Sequence, residues 1–180
     1  MHLEVKIEGL EKFKALVDTK VWYKAQKRTM TEMGRKFRTR VVKDVRKVYN
    51  VKAKTLKKHI KEHISKASSS SIEWRFSITG RPVNLIHFGA RQTSKGVSVK
   101  VKKGSGRRVI KSAFIAHDNG SHKRVFMRKG KERMPIEAKS TLSYPQMFNK
   151  EIIDKAMKEV EENYDKEFKH NLDYYLGRLK

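Results

Sequence analysis

Apolar and polar positions alternate at two places along the chain. Leu3, Val5 and Ile7 are interleaved with Glu4, Lys6 and Glu8, a short strand that Gly9 ends. Ile72, Trp74, Phe76 and Ile78 are interleaved with Glu73, Arg75 and Ser77, a half-buried strand. Between them the spacing changes to three and four. Met30, Met33, Phe37, Val41, Val45 and Val48 form one stripe, extended backwards by Trp22 and Ala25, and predict a long helix. Asp18 or Thr19 is placed to cap it, and a brief helical turn carrying Leu10, Phe13, Leu16 and Val17 precedes it. After Tyr49-Asn50-Val51 a second basic helix is predicted, with Leu56, Ile60 and Ile64 as its seam. Ala67–Ser71 reads as a Ser-rich loop.

The middle of the chain is rich in short strands. Asn84–Phe88 is either a strand or a helical turn, set between Gly80-Arg81-Pro82 and Gly89-Ala90. In the segment from Gly96, Val97, Val99 and Val101 face one way and Ser98, Lys100 and Lys102 the other. Gly104-Ser105-Gly106 makes a tip before Arg107-Arg108, so a hairpin with a basic outer face is predicted. Further strands are expected at Phe114–Ala116 and Val125–Met127, around Asp118-Asn119-Gly120. From Ser143 onward, Ile152, Ile153, Ala156, Met157, Val160, Tyr164, Phe168, Leu172 and Tyr175 follow helical spacing. Roughly 30 residues would span about 45 Å. The expected fold class is α+β: basic N-terminal helices, an antiparallel strand-rich middle with a basic hairpin, and a long C-terminal helix. One domain is expected over 1–180, with parts at 1–66, 72–136 and 143–178.

Charge adds a direction to this picture. The 180 residues carry 44 Lys+Arg against 19 Asp+Glu, a net +25. Up to Pro135 the chain has 36 basic and 10 acidic residues, net +26; beyond it 8 and 9, net −1. A field of that size is the footprint of contact with nucleic acid, since each neutralised phosphate releases counterions. Solubility, or a basic face meeting an acidic protein, would leave the same footprint. No run of apolar residues approaches the ~20 needed to span a membrane, no helix has the apolar and basic faces of a membrane-surface anchor, and MHLEVKIEG has no signal-peptide pattern.

Candidate chemistry is sparse. There is no cysteine, hence no disulfide and no thiolate metal site. His59, Glu62 and His63 match the H-x-x-E-H pattern of inverted zinc peptidases, which requires both imidazoles one turn apart on a helix. Lys57, Lys58, Lys61 and Lys66 surround them and disfavour a divalent metal. The glycines at 104 and 106 make no phosphate-binding loop, and acids before Pro135 are too scattered to gather Mg²⁺ for nuclease chemistry. Trp22 and Trp74 sit on apolar faces and read as core residues rather than base-stacking ones. Contacts to nucleic acid would therefore go to the backbone, without sequence choice. No cofactor, no metal and no enzymatic activity are expected.

One stretch is specific. GRPVNLIHFGARQT (residues 80–93) and KGVSVKV (95–101) resemble the signature of the phage minor tail protein Z family, tail completion proteins of lambda-like long-tailed phages. Ala113–Ala116, Val125-Phe126 followed by Arg128, Arg133–Ile136, Tyr49-Asn50-Val51 and Pro145-Gln146-Met147 add further matches, so the similarity spans about residues 20–175. The Lys-rich composition and Ser68–Ser71 depart from the pattern. The resemblance implies a structural virion protein at the head-proximal end of the tail, assembled in the host cytoplasm. The implied partners are the tail terminator and head–tail connector proteins, the end of the packaged double-stranded DNA, and further copies of the chain in a ring, expected to be hexameric.

Within that reading Lys95, Lys100, Lys102, Lys103, Arg107 and Arg108 are the candidate contacts of the basic hairpin, facing either DNA or an acidic protein ring. Gly80, Pro82 and Gly89 are expected to set turns. Arg81 and Arg91, flanking the Leu85–Phe88 patch beside Ala90, are candidates for a subunit boundary. The alternatives are a nucleic-acid-binding protein outside the virion and a zinc hydrolase using His59, Glu62 and His63.

Overall fold

A computed structural model describes residues 2–5, 19–66, 72–118 and 120–178, with the backbone alone at 2–5 and 66. The elements are β1 (His2–Val5), α1 (Thr19–Val48), α2 (Ala53–Lys57), β2 (Ile60–Lys66) and β3 (Ile72–Ile78). There follow β4 (Pro82–Asn84), a 3₁₀ turn (Leu85–Phe88), β5 (Arg91–Thr93), β6 (Gly96–Val99), β7 (Arg108–Lys111), β8 (Ala113–His117) and β9 (Lys123–Arg128). The chain closes with β10 (Ile136–Ala138), β11 (Ser140–Ser143), α3 (Tyr144–Met147) and α4 (Lys150–Leu176). The class is α+β, and every named strand pairing is antiparallel. The expected turn at Leu10–Val17, the Asp18 cap and the Ala67–Ser71 loop lie outside the described residues.

The chain divides into two compact units, one of residues 1–41, 60–78 and 150–180, the other of 42–59 and 79–149. In the first, β3 is the central strand of a sheet ordered β1-β3-β2. Ile72, Trp74, Phe76 and Ile78 are buried and alternate with residues that are not, as the period of two requires. α1 packs on this sheet through Phe37, whose ring meets Trp74 edge-on at 5.1 Å and Phe76 at 4.9 Å. Gly34 lets the two elements close up. A Cβ there would lie 2.8 Å from the Trp74 indole nitrogen, so only glycine fits without displacement.

α4 packs along α1 in the same unit. Trp22 meets Phe168 edge-on at 4.8 Å. The wholly buried Asn171 donates from Nδ2 to Thr29 Oγ1 and to Glu32 Oε2, both at 3.0 Å. Arg40–Glu159 (3.1 Å), Lys36–Glu167 and Arg28 over the Tyr174 ring (4.5 Å) extend the seam. The stripe expected on α1 is buried at Trp22, Ala25, Met30, Met33, Phe37, Val41 and Val45, whereas Val48 at its end is exposed.

Two elements differ from the sequence reading. The second basic helix shrinks to the five residues of α2, and Ile60–Ile64 belong to strand β2, paired from Ile60↔Ile78 to Lys66↔Ile72. Ile60 and Ile64 are four apart, a spacing that suits either one helix face or one strand face. The β-branched pair and the apolar partner β3 decide for the strand. The 1–66 part is therefore not helical throughout. The long terminal helix begins at Lys150 rather than Ser143, after a separate turn, α3, with Pro145 in its first turn. Its 27 residues span about 40 Å.

The second unit holds the last turns of α1, α2, and the sheets β4-β11, β5-β6-β7 and β8-β9-β10. Its core includes Val45, Leu56, Val83, Leu85, Phe88, Val97, Val125, Met147 and Phe148. Asn84 joins its pieces. Oδ1 accepts from the N–H of Ile86 (3.1 Å) and Val125 (2.9 Å), and Nδ2 donates to the Val125 carbonyl (3.2 Å). The Asn84–Phe88 ambiguity resolves into the end of β4 followed by a 3₁₀ turn, closed by Gly89 in the left-handed conformation (φ 65°). Leu85 and Phe88 are buried in the core, whereas Ile86 is half-buried and His87 exposed.

Candidate functional site

The excess charge follows the unit boundary. The second unit has 23 Lys/Arg and 4 Asp/Glu, net +19; the first has 21 and 15, net +6. In the first unit four cations of α1 pair with acids of the same unit. Arg28 pairs with Glu32 (3.0 Å), Lys36 with Glu167, Arg38 with Glu62 (3.4 Å) and Arg40 with Glu159 (3.1 Å). In the second unit Asp44 is taken by Lys47 (2.7 Å), Asp118 by Arg124 (2.7 Å) and Glu137 by Lys139 (3.4 Å). Partial burial works against ionisation of Asp118. The Gly120 and His122 N–H groups, Arg124 and His122 nevertheless hold its carboxyl below the usual range. With four carboxylates for 23 cations, most of the basic side chains have no acid in their own unit to pair with.

The hairpin expected around Gly104 forms from β6 and β7, in register Gly96↔Lys111 to Val99↔Arg108. Gly96 is obligatory here: it has φ 137°, and a Cβ would lie 2.1 Å from the Ile110 carbonyl oxygen. Beyond Val99 the loop is tied to the end of α1. Asn50 N–H donates to the Val101 carbonyl and Lys103 N–H to the Val48 carbonyl, both at 2.8 Å, with a bridge between Tyr49 and Lys102. Lys102, Lys103, Gly104, Ser105 and Gly106 are exposed on this anchored base, and a Cβ at either glycine would meet nothing. The result is an exposed basic tip whose root is fixed.

The predicted hairpin residues do not form one group. Lys102, Lys103 and Arg108 are exposed at or beside the tip, and Lys100 is half-buried at its root. Lys95 is exposed in the turn between β5 and β6, at the far end of β6. Arg107 is a clip rather than a free cation. Its guanidinium donates to Ser98 Oγ (3.0 Å), the Ser98 carbonyl (2.8 Å) and the Gly89 carbonyl (2.6 Å). That corrects the expected outer face of β6. Gly96–Val99 is buried throughout, because β6 is the central strand of its sheet and Arg107 covers Ser98. Phe88, expected at a turn or interface, is wholly buried. Ala90 is half-buried and Arg91 exposed on β5.

Gly80, Arg81, Pro82 and Gly89 line one open cleft of about 970 Å³ in the second unit. Gly80 shapes its wall, since a Cβ there would lie 2.5 Å from the Tyr144 ring. Sequence reading missed the cleft, because Lys52, His59, His122 and Lys123 reach it from elements far apart in the chain. His59 lies in the loop after α2, with its ring stacked on Tyr144 at 3.7 Å. Glu62 and His63 follow on β2, where neighbouring side chains point to opposite faces. The helical pair an inverted zinc peptidase needs does not form. Among the described residues no group of three or more His, Cys, Asp or Glu is placed to hold a metal ion. Glu62 has another setting: burial pushes its carboxyl above the usual range, against the pull of Arg38 and Arg35.

These features define an α+β protein with a strongly cationic second unit. No helix among the described residues is long and apolar enough to cross a membrane. The family model of prophage minor tail protein Z (GPZ) matches residues 3–180, and the chain belongs to that family. It is a phage minor tail protein, a structural component of the tail. Comparison with curated proteins and with solved structures gave no significant match.

Proposed function

We propose that this tail protein completes the tail at its head-proximal end, where it supports head–tail joining and positions the end of the packaged DNA. It does so without catalysis, through contacts to phosphate that carry no base specificity. The observation that supports this reading is the concentration of net +19 in the second unit, with Lys102, Lys103 and Arg108 exposed on and beside an anchored tip. A ring of such tips, sixfold in keeping with tail symmetry, would line a DNA passage with cations. Screening by salt keeps that grip reversible. The tail terminator and the head–tail connector are the neighbours in this arrangement.

The test is a salt titration of duplex binding. Each phosphate contact contributes about 0.9 to the slope of log K against log salt. Replacing Lys100, Lys102, Lys103 and Arg108 by Gln should flatten the slope by about 3–4 and leave the fold intact. Arg107 is left in place because it holds the loop. Phage carrying the same changes should lose DNA retention or infectivity. An unchanged slope with normal particles would refute the hairpin assignment. A monomer absent from finished particles yet binding DNA steeply would refute the tail-completion role.

A further inference from the structure

The hairpin tip is exposed, but the cleft beside Gly80 is concave. At about 970 Å³ it lies at the upper end of the range of small-ligand pockets. Its wall draws on α2, β4, the 3₁₀ turn, the turn before β9 and α3, all within the second unit. Four permanent cations line it, Lys52, Arg81, Lys123 and Arg124, of which Arg124 is already paired with Asp118. Three imidazoles join them: His59, His87 and His122. The hydroxyls of Thr55, Ser121 and Tyr144 add neutral donors, and no carboxylate is among the lining residues.

From this geometry we infer that the cleft is a phosphate-binding site, built to hold one or a few phosphate groups, and separate from the hairpin tip. Three observations carry the assignment. The walls offer ammonium, guanidinium, imidazole and hydroxyl donors together, the full set that recognises phosphate oxygens. The density of positive charge in one small-ligand volume exceeds what a single carboxylate would neutralise. The cleft is also braced: Gly80 admits the Tyr144 ring, Tyr144 stacks on His59, and the His59 carbonyl accepts from the Thr79 N–H at 3.1 Å. His59 and Tyr144 are therefore held in place before a ligand arrives, which lowers the cost of ordering that wall.

His87 gives the site a pH dependence. Partial desolvation against the wall pushes His87 below its ordinary value, and His59, Arg124 and Lys52 push the same way. His122 and Lys123 line the same cleft and add like charge. An anion seated beside His87 reverses that balance and draws a proton onto its imidazole. Binding then takes up protons, so affinity rises as the pH falls.

The experiment is calorimetry on the full chain with two phosphate probes, tetrathymidylate and pyrophosphate, and a tetraglutamate peptide as the carboxylate comparison. Tetrathymidylate carries phosphodiesters that do not titrate in this range, so any pH dependence belongs to the protein. The expected result is one saturable site per chain, tightening several-fold between pH 8 and pH 6. The double variant Arg81→Gln, Lys123→Gln should weaken it at least tenfold with an unchanged circular dichroism spectrum. The hairpin variant above should retain it, which separates failure of this site from failure of the hairpin reading. The His87 imidazole resonance should titrate at higher pH when a probe is bound. Binding of tetrathymidylate alone would identify a nucleic-acid strand as the source of the phosphate; binding of pyrophosphate as well would identify free phosphates too. Equal or tighter binding of tetraglutamate, no saturable binding, or binding untouched by the cleft variant would each overturn the assignment.

Discussion

Asn171 offers the sharpest test of how the first unit is held together. It is wholly buried on α4, and its Nδ2 donates to the Thr29 hydroxyl and to the Glu32 carboxylate at 3.0 Å each. Removing a neutral hydrogen bond costs about 1 kcal/mol, and one to a charged group about 1.5–3 kcal/mol. Asn171 Oδ1 is buried without a partner, and its removal returns about 1 kcal/mol. Asn171→Ala should therefore destabilise the unit by about 1.5–3 kcal/mol. Both tryptophans, Trp22 and Trp74, belong to this unit, so intrinsic fluorescence reports its unfolding selectively.

The urea midpoint should fall by about 1–2 M at neutral pH. The pH dependence is a second signature. The Asn171 hydrogen bond is the largest influence on Glu32; burial opposes it, and Arg28 and Lys36 add to it, so the carboxyl lies below its ordinary value. A depressed carboxylate stabilises the fold above its unfolded pKa, and that stability is lost as the pH falls through the depressed value. The gap between wild type and variant should thus be widest above about pH 4.5 and narrow below it. Asn163→Ala, an exposed change on the same helix, should shift stability by less than about 0.5 kcal/mol. An Asn171 variant as stable as the Asn163 one, or a gap independent of pH, would refute the bridging role.

Two further outcomes follow from close contacts. Gly34→Ala gains about 1 kcal/mol of helix propensity but forces its Cβ to 2.8 Å from the Trp74 ring, an overpacking cost of about 1–3 kcal/mol; net destabilisation with a shifted fluorescence maximum is expected, and a stabilised protein with an unchanged spectrum would count against the contact. Arg107→Ala should lower thermal stability by about 1–2 kcal/mol by releasing Ser98 and Gly89, whereas Lys103→Ala should weaken duplex binding without touching the melt; identical behaviour of the two would refute the clip.

Much of the architecture could be read from periodicity. The Ile72–Ile78 alternation and the α1 stripe are long patterns with one solution, and both form as expected apart from the exposed Val48 at the end of α1. The Ile60–Ile64 spacing has two solutions, and only the pairing with β3, residues away in sequence, selects the strand. The basic tip was legible because consecutive residues build it. Arg107 was counted with it because nothing local distinguishes a guanidinium in solvent from one folded back onto Ser98 and Gly89. The cleft was invisible for a related reason: His59, Arg81, His122 and Tyr144 become neighbours only through tertiary packing.

The unequal division of charge between the two units has a consequence for crowding. A body with a surplus of nineteen positive charges and little internal compensation repels its own kind at short range. Packing many such bodies side by side is uphill until negative charge is inserted among them. In the proposed ring, close assembly would thereby be conditional: the bound polyanion would also be the cement that lets neighbouring copies stand together, and bare solutions of low ionic strength would keep them apart.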